Sequence, residues 1–410
     1  MYDIVIVGAG IAGLYSAYKI KKSDPSLNII VLERYSKKFI GGRANNEKFA
    51  GVSVVTGAGV GRKKKDKLLF ELIKEVKLPF HEFTASHDYA KTIHPNCHVK
   101  RAFTEIKDAY KKTDPSPKMT FKEFATSVIG PERYKHFITC SSYTDYENED
   151  IHDTLYNYGF DDNYGEWIGL SFSWKDLVSR MVNAIGEKNI KCNRSVKKIN
   201  YEDEFNYSVE IEGHSNVLCR KVIIATTIDT IMKIVPSASK QHSLYKEIHG
   251  QPFLRVYGKF DRASCEIMKQ YVKGLTVVPG PLQKIIPMDT SGGVYMIAYS
   301  DNASAKKLKP ALDDTSQNRS YFCRLLERSL GIEKNVLELT SITDFYWDIG
   351  THYYSPLSNK FKTRSEFIKK AQNPFPGMVI VGEVISKNQG WVEGALESVD
   401  EAVTQNWIMI

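Results

Sequence analysis

Residues 2–20 read YDIVIVGAGIAGLYSAYKI. The β-branched run Tyr2–Val7 predicts a buried strand, and Leu14–Ile20 carries apolar residues at helical spacing. Between them stands Gly8-Ala9-Gly10-Ile11-Ala12-Gly13, so the order is strand, glycine turn, helix. Gly8 permits the tight turn, Gly10 lets a pyrophosphate approach the backbone, and Gly13 lets helix and strand pack closely. The free N–H groups and positive dipole end of the helix, at Ile11 and Ala12, then face the phosphates. A second apolar strand, Asn28–Leu32, ends at Glu33, twenty residues beyond Gly13. A carboxylate there accepts hydrogen bonds from both ribose hydroxyls. The chain therefore opens with a dinucleotide-binding unit.

Leu32-Glu33-Arg34 is followed by a second glycine turn, Gly41-Gly42-Arg43. Val52–Val55 predicts a strand that enters Thr56-Gly57-Ala58-Gly59-Val60-Gly61. Near the other end, the buried strand Met378–Val381 runs into Gly382-Glu383, and then comes Gln389-Gly390-Trp391-Val392-Glu393-Gly394-Ala395. Together these blocks resemble the FAD signature of the flavin-containing amine oxidase superfamily. That group includes monoamine and polyamine oxidases, L-amino-acid oxidases, protoporphyrinogen oxidase and related desaturases. The resemblance covers most of the chain but is specific only in these blocks. It departs after Gly57-Ala58, where the usual Trp or Gln-Trp is replaced by Gly59-Val60.

The resemblance implies an α/β fold. A discontinuous Rossmann-like FAD-binding domain (1–80, 186–235 and 371–410) would carry an inserted mixed α+β substrate domain (81–185 and 236–370). Arg43 would contact the pyrophosphate or the flavin edge beside Gly42, and Gly57, Ala58 and Gly59 would lie under the ring. Val196 would touch the adenine, and the strand ending at Thr226 would close over it. Glu383, after Gly382, would reach the ribityl or pyrophosphate part. The helix starting near Val392, with Ala395 in its first turn, would point its N-terminus at the flavin pyrimidine. Thr351 falls where covalent members carry a cysteine, so FAD is expected without a covalent link. Trp391 would form one aromatic wall of a cage. The opposite wall would come from the block Trp347 to Tyr354, with His352 or Tyr353 facing Trp391. Arg255 falls near the position where many members hold a water on a lysine; it would anchor a substrate carboxylate, tune the flavin or pair with a nearby acid.

The implied reaction is oxidation of a small-molecule amine or amino acid to an imine by hydride transfer to flavin N5, with oxygen as the expected acceptor. The cofactor carries that chemistry; the protein orients and desolvates. Two rival readings are a desaturase or porphyrinogen-type oxidase, and a non-catalytic flavin-fold protein with a structural or nucleic-acid-associated role.

Bulk composition narrows these. The 410 residues fit two packed domains, and 42% hydrophobic with 25% charged residues is ordinary for a soluble globular protein. The net charge is +8, with one basic run, Arg62–Lys65, read as a solvated face; nucleic acid is not the expected partner. Residues 141–170 hold eight acids, no Lys or Arg, and interleaved aromatics. They would steer a cationic amine, although a solvated loop is the plainer reading. The six cysteines are scattered with no CxxC pair, which argues against a metal site or a disulfide framework and suits a reducing compartment. A first strand at Tyr2 leaves no room for a signal peptide, and no apolar run approaches the roughly 18 residues of a membrane span. A cytoplasmic protein of open oligomeric state is expected.

Overall fold

Strand Tyr2–Val7 lies between two parallel neighbours, Ile29–Leu32 and Val217–Ile224, in a seven-stranded sheet of the computed structural model. Residues 1–113, 116–203, 206–236 and 243–409 are described; residues 237–242 of the second inserted segment and Ile410 lie outside them. Ile4, Val5, Ile6 and Val7 are all buried, as a parallel strand covered on both faces requires. Met378–Ile380, nearly the whole chain away, pairs in parallel with Val222–Ile224. The two ends of the sequence thus meet in one sheet.

Helices Ile11–Ser23, Trp174–Ile185 and Val392–Ala402 share one apolar core on a face of this sheet. The inserted segment was expected to include Trp174–Ile185, yet this helix packs on the first glycine-turn helix. Trp174, Leu177, Val178, Met181 and Ile185 form its buried stripe. The opposite face is covered by helices Ile228–Ile234 and Arg364–Gln372, and the antiparallel ribbon Val196–Asp203 with Asn206–Ile211, which joins the sheet through Val217–Ile224, adds Ile199, Tyr207, Val209 and Ile211 to the same core. The run Ile190–Ile199 is split between two strands. Ile190–Lys191 pairs with Val31–Leu32, and Asn193 then adopts positive φ (54°) before the ribbon starts.

The second sheet has six strands in the order Leu339–Tyr354, Ile248–Phe260, Val294–Asp301, Lys284–Asp289, Thr276–Val277, Asp88–Tyr89. One set of helices, Arg262–Tyr271, Asn302–Leu308 and Ser316–Leu330, closes an apolar core against it. A second helical group, Val99–Tyr110, Phe121–Ile129, Pro131–Ser141 and Ile151–Tyr156, builds an aromatic core of its own. Its elements are locally specified: Thr120 and Glu123 form a reciprocal capping box, and Pro131 opens the next helix. Among the described residues no helix is long and apolar enough to cross a membrane.

One expectation is overturned here. Cys97 and Cys140 form a disulfide across 43 residues. Their spacing carries no pattern because helix packing, not sequence proximity, brings them together. Cys192, Cys219, Cys265 and Cys323 are free.

Candidate active site

A cavity lies where the glycine turns of the first sheet face the second sheet. Gly10, Ile11, Ala12, Gly42, Arg43, Gly57, Ala58, Gly59, Thr226, Arg255, Trp347, Gly382, Glu383, Trp391, Val392 and Ala395 all line it. Gly10 is the N-cap of the first helix and offers no side-chain cap; a Cβ there would meet nothing within 4 Å. Trp391 N-caps the Val392–Ala402 helix, also without a side-chain cap. Two helix N-termini with unfilled N–H groups therefore open on one cavity, each a favourable place for negative charge. Three buried polar atoms on its walls, Thr226 Oγ1, Asn163 Nδ2 and Gln389 Oε1, have no partner among the described residues. Native chains seldom leave such atoms unpaired. The cradle fits a long, phosphate-bearing polar group.

Gly8 and Gly13 stand behind this surface. A Cβ on Gly13 would come within 2.0 Å of the Gly8 carbonyl oxygen, and one on Gly8 within 2.4 Å of the Ala225 oxygen. Glu33 is buried; its oxygens accept from the Ala9 and Tyr35 amides at 2.8 and 2.9 Å, which orients the carboxylate beside the first turn. Arg34 is exposed and lies over the Tyr35 ring, and Val196 pairs with Ile211 in the ribbon; neither lines the cavity.

The turn at residues 56–59 is gripped from outside by side chains of other elements. Trp347 Nε1 donates to the Thr56 oxygen (2.8 Å), and Trp174 Nε1 to the Gly59 oxygen (3.1 Å). Arg255 donates through Nε and Nη2 to the Gly57 oxygen at 2.8 and 2.5 Å. Its Nη1 meets Met296 Sδ, and its guanidinium stacks 4.0 Å from the Tyr299 ring centroid. Arg255 has no acidic partner in these contacts, and its fork is turned to the backbone.

Glu383 gathers three donors. Its Oε1 accepts from Arg43 Nη1 (2.8 Å) and His352 Nδ1 (2.5 Å), and Oε2 accepts from the Gly390 amide (3.1 Å). Burial pushes this carboxyl up, but His352, Arg43 and Gly390 outweigh it and hold it well below the usual carboxylate range. The Ile228 amide donates to His352 Nε2 (3.2 Å), so Nδ1 carries the imidazole proton. Glu393 of the C-terminal motif accepts from the Leu68 and Leu69 amides (2.9 and 3.0 Å) and so caps helix Lys67–Glu75; burial pushes its carboxyl up to about 7.

The block Trp347–Tyr354 departs from expectation. His352 does not face Trp391: it is buried behind the cavity wall in the bonds just described. Tyr353 stacks on His249 with ring centroids 5.1 Å apart and is no cavity residue. Pairing slips between Gln251↔Thr351 and Phe253↔Trp347, which breaks strand alternation and brings Gly350 and Thr351 to the cavity instead.

The acidic segment is not a solvated loop. Tyr143, Asp145, Tyr158, Asp162 and Trp167 line the cavity, and Glu149, Asp150 and Asp153 are buried. The basic run turns inward to meet it. Arg62 is buried between Asp66 (2.6 Å) and Asp162 (2.9 Å), Lys65 bonds Asp162 (2.8 Å), and Arg62 lies 3.6 Å over the Trp391 ring centroid. One face of the expected cage wall is thus already occupied by a cation. Asp145 differs from Asp162. Its Oδ1 accepts from Tyr158 (2.7 Å), and burial with the nearby Asp301 charge pushes it up to about 7. Close by, Lys284 is fully buried over the Tyr143 ring and donates to the Ser142 oxygen (2.6 Å); burial pushes it down to about 7. Sequence reading singled out the acid density here but not which acid faces inward.

A Rossmann-like unit whose glycine turns share a cavity with a second, antiparallel-rich sheet defines a dinucleotide-binding protein. The chain belongs to the flavin-containing amine oxidoreductase family, whose profile matches residues 98–405, and is an FAD-dependent enzyme. An NAD(P)-binding Rossmann-like domain matches residues 6–76. Cyclohexylamine oxidase from Brevibacterium oxydans IH-35A shares the fold with a TM-score of 0.75 at 16% identity, covering 98% of this chain and 97% of that one. A redesigned triple mutant of putrescine oxidase gives 0.74 at 15% identity, covering 98% and 97%. An uncharacterized protein of Acanthamoeba polyphaga mimivirus is 20% identical over 481 residues, 98% of this chain and 93% of that protein.

Proposed function

We propose that the chain oxidises a small amine without a carboxylate to the imine, with FAD bound non-covalently and oxygen as acceptor. The supporting observation is Asp145: a carboxylate on the cavity wall beside Tyr143 and Tyr158, hydrogen-bonded by Tyr158 and with the buried Lys284 nearby, in no salt bridge among the described residues, whereas Asp162 on the same wall is paired with Arg62 and Lys65. Such a group holds an ammonium and, with its pKa raised toward neutrality, is matched to accept a proton from it. Tyr143, Tyr158, Phe253 and Tyr299 supply the apolar walls that exclude water. Arg255 spends its donors on Gly57 and Met296, which argues against a substrate carboxylate bound there. When bound, FAD would supply the hydride acceptor for the carbon next to nitrogen. Gly10, Ile11, Ala12, Gly42 and Arg43 would hold its pyrophosphate, Glu33 its ribose, and Gly57 to Gly59, Val392 and Ala395 its ring. Thr351 offers no thiol for a covalent link.

The test is anaerobic titration of the purified flavoprotein with monoamines, diamines and amino acids. Bleaching of the oxidised flavin band by an amine but not by its α-carboxylated counterpart is expected. Bleaching only by amino acids, or by no amine, overturns the proposal. Hydrogen peroxide release on readmitting air tests the acceptor.

A further inference from the structure

Far along the helical lobe, a groove is lined by His94, His98, Arg101, Arg133, His136 and Cys140. Cys97, His136 and Cys140 place three ligand atoms within 4.8 Å of one another, the one such group of His, Cys, Asp or Glu among the described residues. We propose that these three residues form a redox-gated site for a thiophilic divalent cation such as zinc, open when the disulfide is reduced and closed when it is formed.

His136 and Cys140 are i and i+4 on helix Pro131–Ser141, so they share a face, the spacing that suits two ligands on one helix. His136 Nε2 lies 3.4 Å from Cys140 Sγ. Two ligands on a tetrahedral zinc, with Zn–S of about 2.3 Å and Zn–N of about 2.0–2.1 Å, are separated by roughly 3.5 Å. Cys97 enters from the loop ahead of helix Val99–Tyr110. Its Cα lies 5.5 Å from that of Cys140, so the sulfurs need only rotate apart to take one ion between them. Cys140 is buried, while Cys97 and His136 are half-buried beside the groove, which gives an ion an entry path and leaves the fourth position open. Two thiolates balance the charge of a divalent cation, so the site carries no net charge into this half-buried place.

The exchange balances. Two molecules of a small thiol supply two electrons and two protons and leave as their disulfide, and the Cys97–Cys140 bond breaks to two thiols. Metal binding then releases those two protons to solvent. The small disulfide reverses both steps: it takes two electrons from the two thiolates and, with two protons from solvent, returns to two thiols, and the ion is released because a sulfur in a disulfide has no thiolate to donate.

The experiment uses the full-length flavoprotein. It is reduced with a phosphine, desalted without oxygen and titrated with Zn²⁺ against a chromophoric chelator, beside the unreduced protein and the variants Cys97→Ser and His136→Gln. Retained flavin and circular dichroism certify the fold of each variant. Expected are one tight zinc per reduced chain, none in the unreduced protein, loss in Cys97→Ser, and binding at least about tenfold weaker in His136→Gln. In denaturant the unreduced protein should show four thiols and the reduced one six. Six thiols before reduction, equal zinc binding with and without the disulfide, or a His136→Gln variant that binds like wild type would overturn it.

Discussion

Replacing Glu383 by Gln tests the network that joins the second glycine turn to the C-terminal motif. The carboxylate accepts Arg43 and His352 on one oxygen and the Gly390 amide on the other. A glutamine offers one acceptor and two donors. With its oxygen toward Arg43 and His352, its NH2 meets the Gly390 N–H. Flipped, the NH2 meets the Arg43 and His352 donors. His352 cannot relieve this by changing tautomer, because Nε2 is held by the Ile228 amide. The substitution also leaves Arg43 without its carboxylate. Breaking a buried pair from one side costs about 3–5 kcal/mol. With an unfolding entropy of about 2.1 cal/mol/K per residue over 410 residues, the midpoint should fall by roughly 3–6 °C. The sign with pH follows. Glu383 is depressed when folded, so its contribution is complete above the unfolded value of about 4.3 and is lost as pH falls through the folded value. The gap between wild type and variant should be constant from pH 6 to 8 and should shrink below about pH 4. Scanning calorimetry of both proteins across that range measures it. A gap under about 1 °C at pH 7 would refute the reasoning.

Other positions give independent outcomes. A Cβ at Gly394 would lie 2.1 Å from the Asn388 carbonyl oxygen, so Gly394→Ala should cost at least about 1–3 kcal/mol, read from its melting midpoint and flavin-to-protein ratio. Glu393 is raised to about 7 when folded, so wild type loses stability from this group as pH rises from about 4.5 to 7. Glu393→Gln does not, and its midpoint relative to wild type should climb between pH 5 and 8. If Asp145 holds the ammonium, a non-titrating quaternary ammonium ligand should bind more tightly as pH rises through about 7. In Asp145→Asn, calorimetry should find that pH dependence gone and affinity at pH 8 at least about tenfold weaker, 1.4 kcal/mol.

What was legible in the sequence was local. The strand, turn and helix at Tyr2–Ile20 and the motif at Gln389–Ala395 declare themselves because each glycine answers a contact made by near neighbours or by a cofactor-shaped space. Long-range partners were hidden. Arg62–Lys65 reads as a surface run, and only the fold brings Asp162, a hundred residues later, to neutralise it. The family resemblance put His352 or Tyr353 in the cavity, and a pairing slip of the kind that composition does not encode brought Gly350 and Thr351 there instead. The Cys97–Cys140 bridge is set by how helices Val99–Tyr110 and Pro131–Ser141 pack.

Arg255 offers a way to separate charge from scaffold. It is buried, yet its contacts are a carbonyl oxygen, a thioether and a tyrosine ring, none of which neutralises it. Keeping an unpaired cation out of water is costly unless something nearby gains from it. It sits against the turn that the proposed function places under the flavin ring, and reduced flavin gains negative charge. Arg255→Met removes both the cation and the grip on Gly57; Arg255→Lys keeps the cation but loses the two-pronged grip. If the charge is what matters, the Met variant should lower the flavin reduction potential by about 30 mV or more, since 30 mV corresponds to about 1.4 kcal/mol for a two-electron couple, while the Lys variant stays within about 10 mV of wild type on the same scale. If the grip alone matters, both variants should lose flavin affinity together with little change in potential. Equal potentials in wild type and Arg255→Met would remove the electrostatic role and leave Arg255 as a clamp on the turn.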